Sequence, residues 1–167
     1  MINKINKLSR SEFVKVFANI FEKTEWIAEE LYNQVPFNNF EELSLKMLNI
    51  FDTASKEKKL KILNAHPDLA NKTKIGLLTS DSLKEQNSAG LDKCTKEEFD
   101  EFKKLNNAYK KFGFPFIIAI KGKTKTEILN NFKKRIFSDS EMEFNEAVKQ
   151  VKQIASFRLK EFKTKSF

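Results

Sequence analysis

The feature that most constrains the fold is a helix-start pattern that recurs along the chain. A serine or threonine stands three residues ahead of a glutamate, and an apolar stripe with helical spacing follows, as in a capping box. Turn-forming residues are rare, with 4 Gly and 3 Pro in 167 residues. The sequence therefore predicts an all-α, single-domain helical bundle of about seven to nine helices over residues 1–167. The pairs are Ser9 and Glu12, Ser82 and Glu85, Thr95 and Glu98, Thr124 and Glu127, and Ser140 and Glu143.

The N-terminal part carries three predicted amphipathic helices. The second, around Trp26, should stop before Pro36, and Asn38 or Asn39 can cap the third. The chain has 17 Phe against 1 Trp and 2 Tyr, so rings without a polar group should fill the core. Apolar stripes of this kind belong to the core far more often than to a cofactor site, and we assign these helices no chemistry.

Residues 114–120 interrupt the helical pattern. The run Phe114-Pro115-Phe116-Ile117-Ile118-Ala119-Ile120 is short and continuously apolar, which periodicity alone assigns neither to a strand nor to a buried helix. It is a candidate for extended chain in a helical protein. Extended chain without a partner strand leaves N–H and C=O groups to satisfy, so these groups could meet a polar ligand.

Composition and charge narrow the class of partner. The formal net charge is +8, but the lysines form short groups with acids between them, and we expect no nucleic-acid partner. Dispersed lysines are usually solvated helix surface, and they can also attract a small anionic substrate. The competing interpretation is a basic helical module that binds nucleic acid or an acidic protein, and steep loss of binding with added salt would identify it.

The cell compartment follows from what the sequence lacks. Cys94 is the one cysteine, which excludes an intramolecular disulfide and a multi-cysteine metal site. No stretch approaches the ~20 apolar residues of a membrane span, the N-terminus has no apolar signal region, and the last residues are not a peroxisomal signal. We expect a cytoplasmic protein without a membrane partner.

His66 is the only histidine. A helix capped by Ser55 should end near Ala65, because Pro67 disfavours the α region for the residue before it. A lone histidine has no partner for a His-based metal site, so we expect no metal, and its near-neutral pKa suits an acid, base or hydrogen-bond donor. A capping or half-buried structural role explains the same position, and position alone favours that role.

Glu85 and Arg158 also have structural explanations. The spacing of Ser82 and Glu85 places the glutamate in the first turn of a helix, where a cap and the helix dipole would account for it. Arg158 falls inside the apolar stripe of the last helix. A buried guanidinium needs a partner, so it belongs to an ion pair, a dimer contact or an anion site with bidentate geometry.

Three ordered motifs change the balance between these interpretations. Together they resemble the 2-oxo-4-hydroxy-4-carboxy-5-ureidoimidazoline (OHCU) decarboxylase family of urate breakdown. The resemblance implies a cofactor-free, all-helical and usually homodimeric lyase that converts OHCU, a small anionic substrate, to (S)-allantoin; a catalytically silent relative is the alternative. The motifs are His66-Pro67-Asp68-Leu69-Ala70, Ser82-x-x-Glu85-Gln86-x-Ser88-Ala89-Gly90-Leu91, and Leu105-Asn106-x-x-Tyr109-x-x-Phe112-Gly113-Phe114-Pro115-Phe116.

The resemblance also implies the site residues. His66, hydrogen-bonded to Glu85, would transfer the proton, and Arg158 would stabilise the anionic ring or carboxylate. The remaining matched positions would orient the substrate. The sequence departs from the family pattern at two positions, with Asn71 for a common Gly and Ser138 for a usual Asn, and both departures affect local loop shape. The catalytic set is His66, Glu85 and Arg158, and the substrate-binding set is Pro67, Ser82, Gln86 and the main chain of Phe116, Ile117 and Ile118.

Overall fold

The computed structural model describes residues 1–71 and 78–165. These residues form nine α-helices and two 3-10 turns, Leu91–Lys93 and Lys110–Phe112, and no strand. The all-α prediction is confirmed, and the helix number within the described part agrees with it. The helices are α1 Ile2–Ile5, α2 Arg10–Phe17, α3 Glu25–Tyr32, α4 Phe40–Thr53, α5 Lys56–Ala65, α6 Ser80–Ser88, α7 Lys96–Tyr109, α8 Lys125–Arg135 and α9 Ser140–Lys165.

The chain divides into two compact units. The first contains residues 1–65 and 152–167, and the second contains residues 66–151. The prediction of one domain over 1–167 stays a prediction. Every helix in the described part of the chain is too short or too polar to cross a membrane.

Phenylalanine rings form the core of the first unit. Phe13 and Phe17 lie on the buried face of α2, with ring centroids 4.6 Å apart. Phe162 of α9 contacts Phe17 at 5.1 Å and stacks on Phe40 at 5.9 Å. The helical spacing of these apolar residues thus produces the ring-filled core that the composition predicts.

The second unit has its own aromatic core. Phe116 stacks on Phe132 with centroids 3.9 Å apart and an interplanar angle of 9°. Tyr109 meets both rings edge-on, at 5.4 Å and 5.6 Å. These contacts pack the apolar run at 114–120 against α7 and α8. The rings of the run therefore belong to the core, whatever its main chain binds.

Three of the five predicted capping boxes are present. The side chains of Ser9, Thr95 and Thr124 each accept from the backbone N–H of the glutamate three residues on. Each glutamate side chain in turn accepts from the N–H of the capping residue. Ser55 and Asn39 also cap α5 and α4 as predicted.

The other two predicted boxes are wrong. Helix α6 begins earlier than expected, and the side chain of Thr79 accepts from Ser82 N–H, so Ser82 lies inside the first turn and Glu85 beyond it. Helix α9 is capped by Asp139, whose Oδ1 accepts from the N–H groups of Glu141 and Met142 at 3.0 and 2.8 Å. In each case a residue just upstream supplies an equally good acceptor, which the Ser-to-Glu spacing alone does not rank.

Residues 114–120 are neither helical nor paired as a strand, and all except Pro115 are buried. Gly113 ends the preceding 3-10 turn with φ of +80°, the left-handed conformation expected after Phe112. The predicted connecting segment 68–80 is visible at both ends, and residues 72–77 lie outside the described part.

Candidate active site

The loop that carries His66 follows α5 directly. The helix ends at Ala65, as predicted, and His66 and Pro67 are half-buried. Two amide side chains hold the residues that follow: Ala70 N–H donates to Gln86 Oε1 at 3.2 Å, and Asn106 Nδ2 donates to the Leu69 carbonyl at 3.0 Å. Helices α6 and α7 therefore fix the histidine loop.

Ala70 carries backbone strain at the point where Gln86 holds it. Its φ is +51°, a left-handed conformation that costs a non-glycine residue about 1–2 kcal/mol. Such a conformation persists where the surroundings enforce it. The Gln86 bond to the Ala70 N–H is one such constraint, so the matched residue Gln86 has a structural role as well as a predicted binding role.

Open space borders this loop. One cavity of about 160 Å³ and a second of about 520 Å³ are both lined by Ala70, Asn71 and Phe99. Gln86 lines the smaller cavity, and Asn106 lines the larger. Both cavities therefore lie beside the segment that the two amide side chains hold.

Three matched residues share one face of α6. Ser82, Glu85 and Gln86 are spaced three and four residues apart, which places them on the same side of a helix. Ser82 and Gln86 are buried, at 4% and 8% exposure, and Glu85 is half-buried. The cap explanation for Glu85 no longer applies, because this residue lies past the first turn. Its predicted hydrogen bond to His66 stays a prediction.

The main chain at 116–118 is partly engaged by the protein itself. The Ile117 carbonyl accepts a hydrogen bond of 2.7 Å from Arg135 Nη1. Arg135 is buried and pairs with Glu143, with Nε 2.9 Å from Oε1. If Ile117 binds substrate as predicted, its carbonyl does so while it also accepts a hydrogen bond from Arg135.

Tyr109 completes this buried group, since its hydroxyl donates to Glu143. Burial raises the pKa of the Tyr109 hydroxyl above its usual range, and the bond to Glu143 adds to the effect. The hydroxyl therefore stays protonated and remains a donor throughout the neutral range. The sequence placed Glu143 only in a predicted capping box and gave Tyr109 no separate role, although Tyr109 belongs to the third motif.

Arg158 lies in the first unit, on α9. Its Nη1 is 3.0 Å from Glu22 Oε2 and 2.9 Å from the Asn19 carbonyl. The two side chains are nearly inaccessible, with 6% exposure for Arg158 and 0% for Glu22. The ion-pair interpretation of Arg158 is thus correct, while the predicted contact with substrate stays a prediction. The sequence analysis did not identify Glu22 as the partner of Arg158. The available signal was that a buried arginine needs a carboxylate partner.

Within residues 1–71 and 78–165, no three His, Cys, Asp or Glu side chains lie close enough together to hold a metal ion. Cys94, the one cysteine of the sequence, is half-buried and directly follows the turn Leu91–Lys93.

Similar structures identify the fold class. The crystal structure of an (S)-allantoin synthase matches with a TM-score of 0.74 and 29% identity, over 95% of this chain and 52% of that chain. An OHCU decarboxylase crystallised in the presence of (S)-allantoin matches with a TM-score of 0.72 and 22% identity, over 88% of this chain and 96% of that chain. The fold is the helical fold of these two proteins.

Sequence comparison gives the family. The OHCU decarboxylase family model matches residues 6–160, and the chain belongs to that family. It is 35% identical to the OHCU decarboxylase of Halalkalicoccus jeotgali, over 96% of this chain and 90% of that protein. It is 40% identical to the uric acid degradation bifunctional protein of Bacillus sp. strain TB-90, again over 96% of this chain. The chain spans about a third, 32%, of that bifunctional protein.

Proposed function

We propose that this protein is a carboxy-lyase that decarboxylates OHCU to (S)-allantoin in urate degradation. The observation that carries the proposal is the family match over residues 6–160. Within that match, every residue type of the family's reacting set is present at its motif position. Neither departure, Asn71 or Ser138, removes a reacting group.

The chemistry requires a proton donor and a group that disperses negative charge. Loss of CO₂ leaves a carbanion or enolate-like anion, which must be stabilised and then protonated on one face. His66 suits the proton transfer, because a half-buried imidazole at a helix end can reach a ligand and can act as an acid or a base. Glu85 would orient the imidazole and favour its charged form.

Arg158 would stabilise the anionic part of the substrate. The bonds that Nη1 makes to Glu22 and to the Asn19 carbonyl fix the position of the guanidinium, which is a planar group with five N–H donors. The Glu22 carboxylate also offsets the cost of burying the positive charge. Held in this way, the planar group could meet a carboxylate or an amide edge with two parallel bonds.

The substrate is a polar ring with a ureido group, and its orientation needs several weaker contacts. Ser82 can donate or accept, and Gln86 can donate through Nε2 while its Oε1 holds the Ala70 N–H. Pro67 and the main chain near Ile118 complete the proposed contacts. Fixing the ring in this way lowers the barrier through orientation.

Three further parts of the proposal are a homodimer, which rests on the family resemblance, a cytoplasmic location, and one domain over residues 1–167.

The ion pairs favour a solvated surface over a nucleic-acid interface. Lys125 lies 2.7 Å from Glu98, and Lys133 lies 2.6 Å from Glu101. Lysines paired with carboxylates are poorly suited to neutralise phosphates.

The direct test is turnover of freshly made OHCU. The substrate is generated from urate by oxidation and hydrolysis, and formation of optically active allantoin is followed by circular dichroism. We expect activity that persists after exhaustive treatment with EDTA, since the proposed residues need no metal. Activity lost with EDTA and restored by one metal would contradict the cofactor-free mechanism. Folded protein with no turnover would identify a silent relative.

The role of Glu85 can be tested by Glu85→Gln. The change keeps the shape but removes the negative charge that would favour protonated His66, so the ionisation controlling kcat/KM should move to lower pH and the rate should fall. A pH–rate profile of the variant and the wild type measures both effects. Glu98→Gln is a matched control, because Glu98 accepts from the Thr95 N–H and pairs with Lys125, and it belongs to no proposed substrate contact. An unmoved profile for Glu85→Gln would exclude the predicted coupling.

A further inference from the structure

We propose that Arg135 and Gln150 are positioning residues that hold the main chain of residues 116–119 in the geometry needed to bind substrate. The inference rests on the proposed function and adds two residues that neither touch the reacting atoms nor belong to the matched site set. Both act on a segment that has no partner strand within the described part of the chain.

Arg135 holds the segment at Ile117. Its Nη1 donates to the Ile117 carbonyl at 2.7 Å, and its guanidinium carbon lies 4.5 Å from the centroid of the Phe116 ring. One side chain thus contacts both the main chain and a side chain of the run. A charged donor makes this a stronger hydrogen bond than one between neutral groups.

The orientation of Arg135 is itself fixed. Its Nε lies 2.9 and 3.3 Å from the two carboxylate oxygens of Glu143, and Nη2 also contacts this carboxylate. Glu143 is 1% exposed and accepts from the Tyr109 hydroxyl as well. With the carboxylate engaged from two sides, the guanidinium plane has little freedom to rotate away from Ile117.

Gln150 holds the segment two residues further on. Its Oε1 accepts from the Ala119 N–H at 2.9 Å. Its Nε2 donates to Glu146 Oε1 at 2.7 Å, which fixes which end of the amide faces Ala119. Gln150 therefore supplies an acceptor that a neighbouring strand would otherwise supply.

The spacing of the two contacts indicates which peptide groups remain for a ligand. In extended chain, the N–H and C=O groups of successive residues point to opposite edges. The Ile117 carbonyl bonds to Arg135 of α8, and the Ala119 N–H bonds to Gln150 of α9. If these residues are extended, the two bonded groups share one edge, and the N–H and carbonyl of Ile118 lie on the other edge, where they would bind the ring amides of the substrate.

The test uses Arg135→Lys and Gln150→Met in the full chain. Lysine keeps the charge beside Glu143 but replaces the planar fork, whose separate nitrogens bond Glu143 and Ile117, with a single nitrogen. We expect its KM for OHCU to rise at least ~10-fold, with a smaller change in kcat, because the displaced main chain binds the ground state and the transition state alike. Methionine keeps the volume of Gln150 without its acceptor, and its KM should rise about 3- to 10-fold, the effect of one hydrogen bond.

A purely structural role predicts a different result. Ile128→Ala removes a buried side chain from the same unit, and should lower Tm without altering KM. If folded Arg135→Lys and Gln150→Met lose Tm in the same manner and keep the wild-type KM, the inference is overturned. If Arg135→Lys does not fold, the KM of Gln150→Met decides. Wild-type protein that fails to turn over OHCU contradicts the proposed function itself, and this is seen before any variant is made.

Discussion

Replacing His66 by alanine is expected to lower kcat for OHCU decarboxylation by ~10²- to 10⁴-fold, the usual contribution of a positioned general acid or base. The helical fold should survive, because His66 follows the end of α5 and is only half-buried. The measurements are the rate of (S)-allantoin formation, far-ultraviolet circular dichroism and Tm.

The matched control for His66→Ala is Asn64→Ala. Asn64 is exposed near the end of the same helix, where its Nδ2 donates to the Leu60 carbonyl. The control should keep near-wild-type turnover, since it removes a surface hydrogen bond and no reacting group. A His66→Ala variant with near-wild-type rate would mean that the histidine is structural after all, and that proton transfer has been assigned to the wrong residue.

The second large effect is expected at Arg158, in stability as well as in rate. Arg158→Ala leaves the Glu22 carboxylate buried without its guanidinium, which should destabilise the fold by about 3–5 kcal/mol. Arg158→Lys keeps the charge but loses the planar fork, so kcat/KM should fall at least ~10-fold with a smaller loss of stability. Denaturant titration and kinetics on the folded fraction separate the two quantities.

The double variant Arg158→Met with Glu22→Gln distinguishes a structural arginine from one that binds substrate. Removing both charges of a buried pair is often nearly neutral for stability, so the double variant should recover most of the stability lost by Arg158→Ala. Turnover should not recover, because the proposed donor is gone. Stability and activity that recover together would show that Arg158 contributes to the fold and not to the reaction.

Local signals predicted most of the fold. The capping boxes at Ser9, Thr95 and Thr124, and the α5 end at Ala65, depend on residues within one turn of each other, and all are present in the structure. Thr79 and Asp139 show where local reasoning fails. Each competes with a nearby serine for the same helix start, and the choice depends on which helix length packs best.

The partners of buried charges could not be predicted in this way. Arg158 finds Glu22 across 136 positions of the sequence, and Arg135 finds Glu143 across a turn between two helices. The sequence shows that a buried arginine requires a carboxylate, but many carboxylates in this chain could satisfy it. Only tertiary structure selects one, and the same applies to the amides of Gln86 and Asn106 that hold the histidine loop.

The strained Ala70 has a consequence for how this loop can change during evolution. A glycine at position 70 would remove the steric cost of the positive φ, and a β-branched residue there would increase it. Gln86 restrains the strained residue and is also a proposed ligand contact. A substitution at position 86 would therefore affect both the loop conformation and substrate binding. A substitution at position 86 is therefore expected in relatives whose residue 70 is not strained, so the residues at the two positions should vary together.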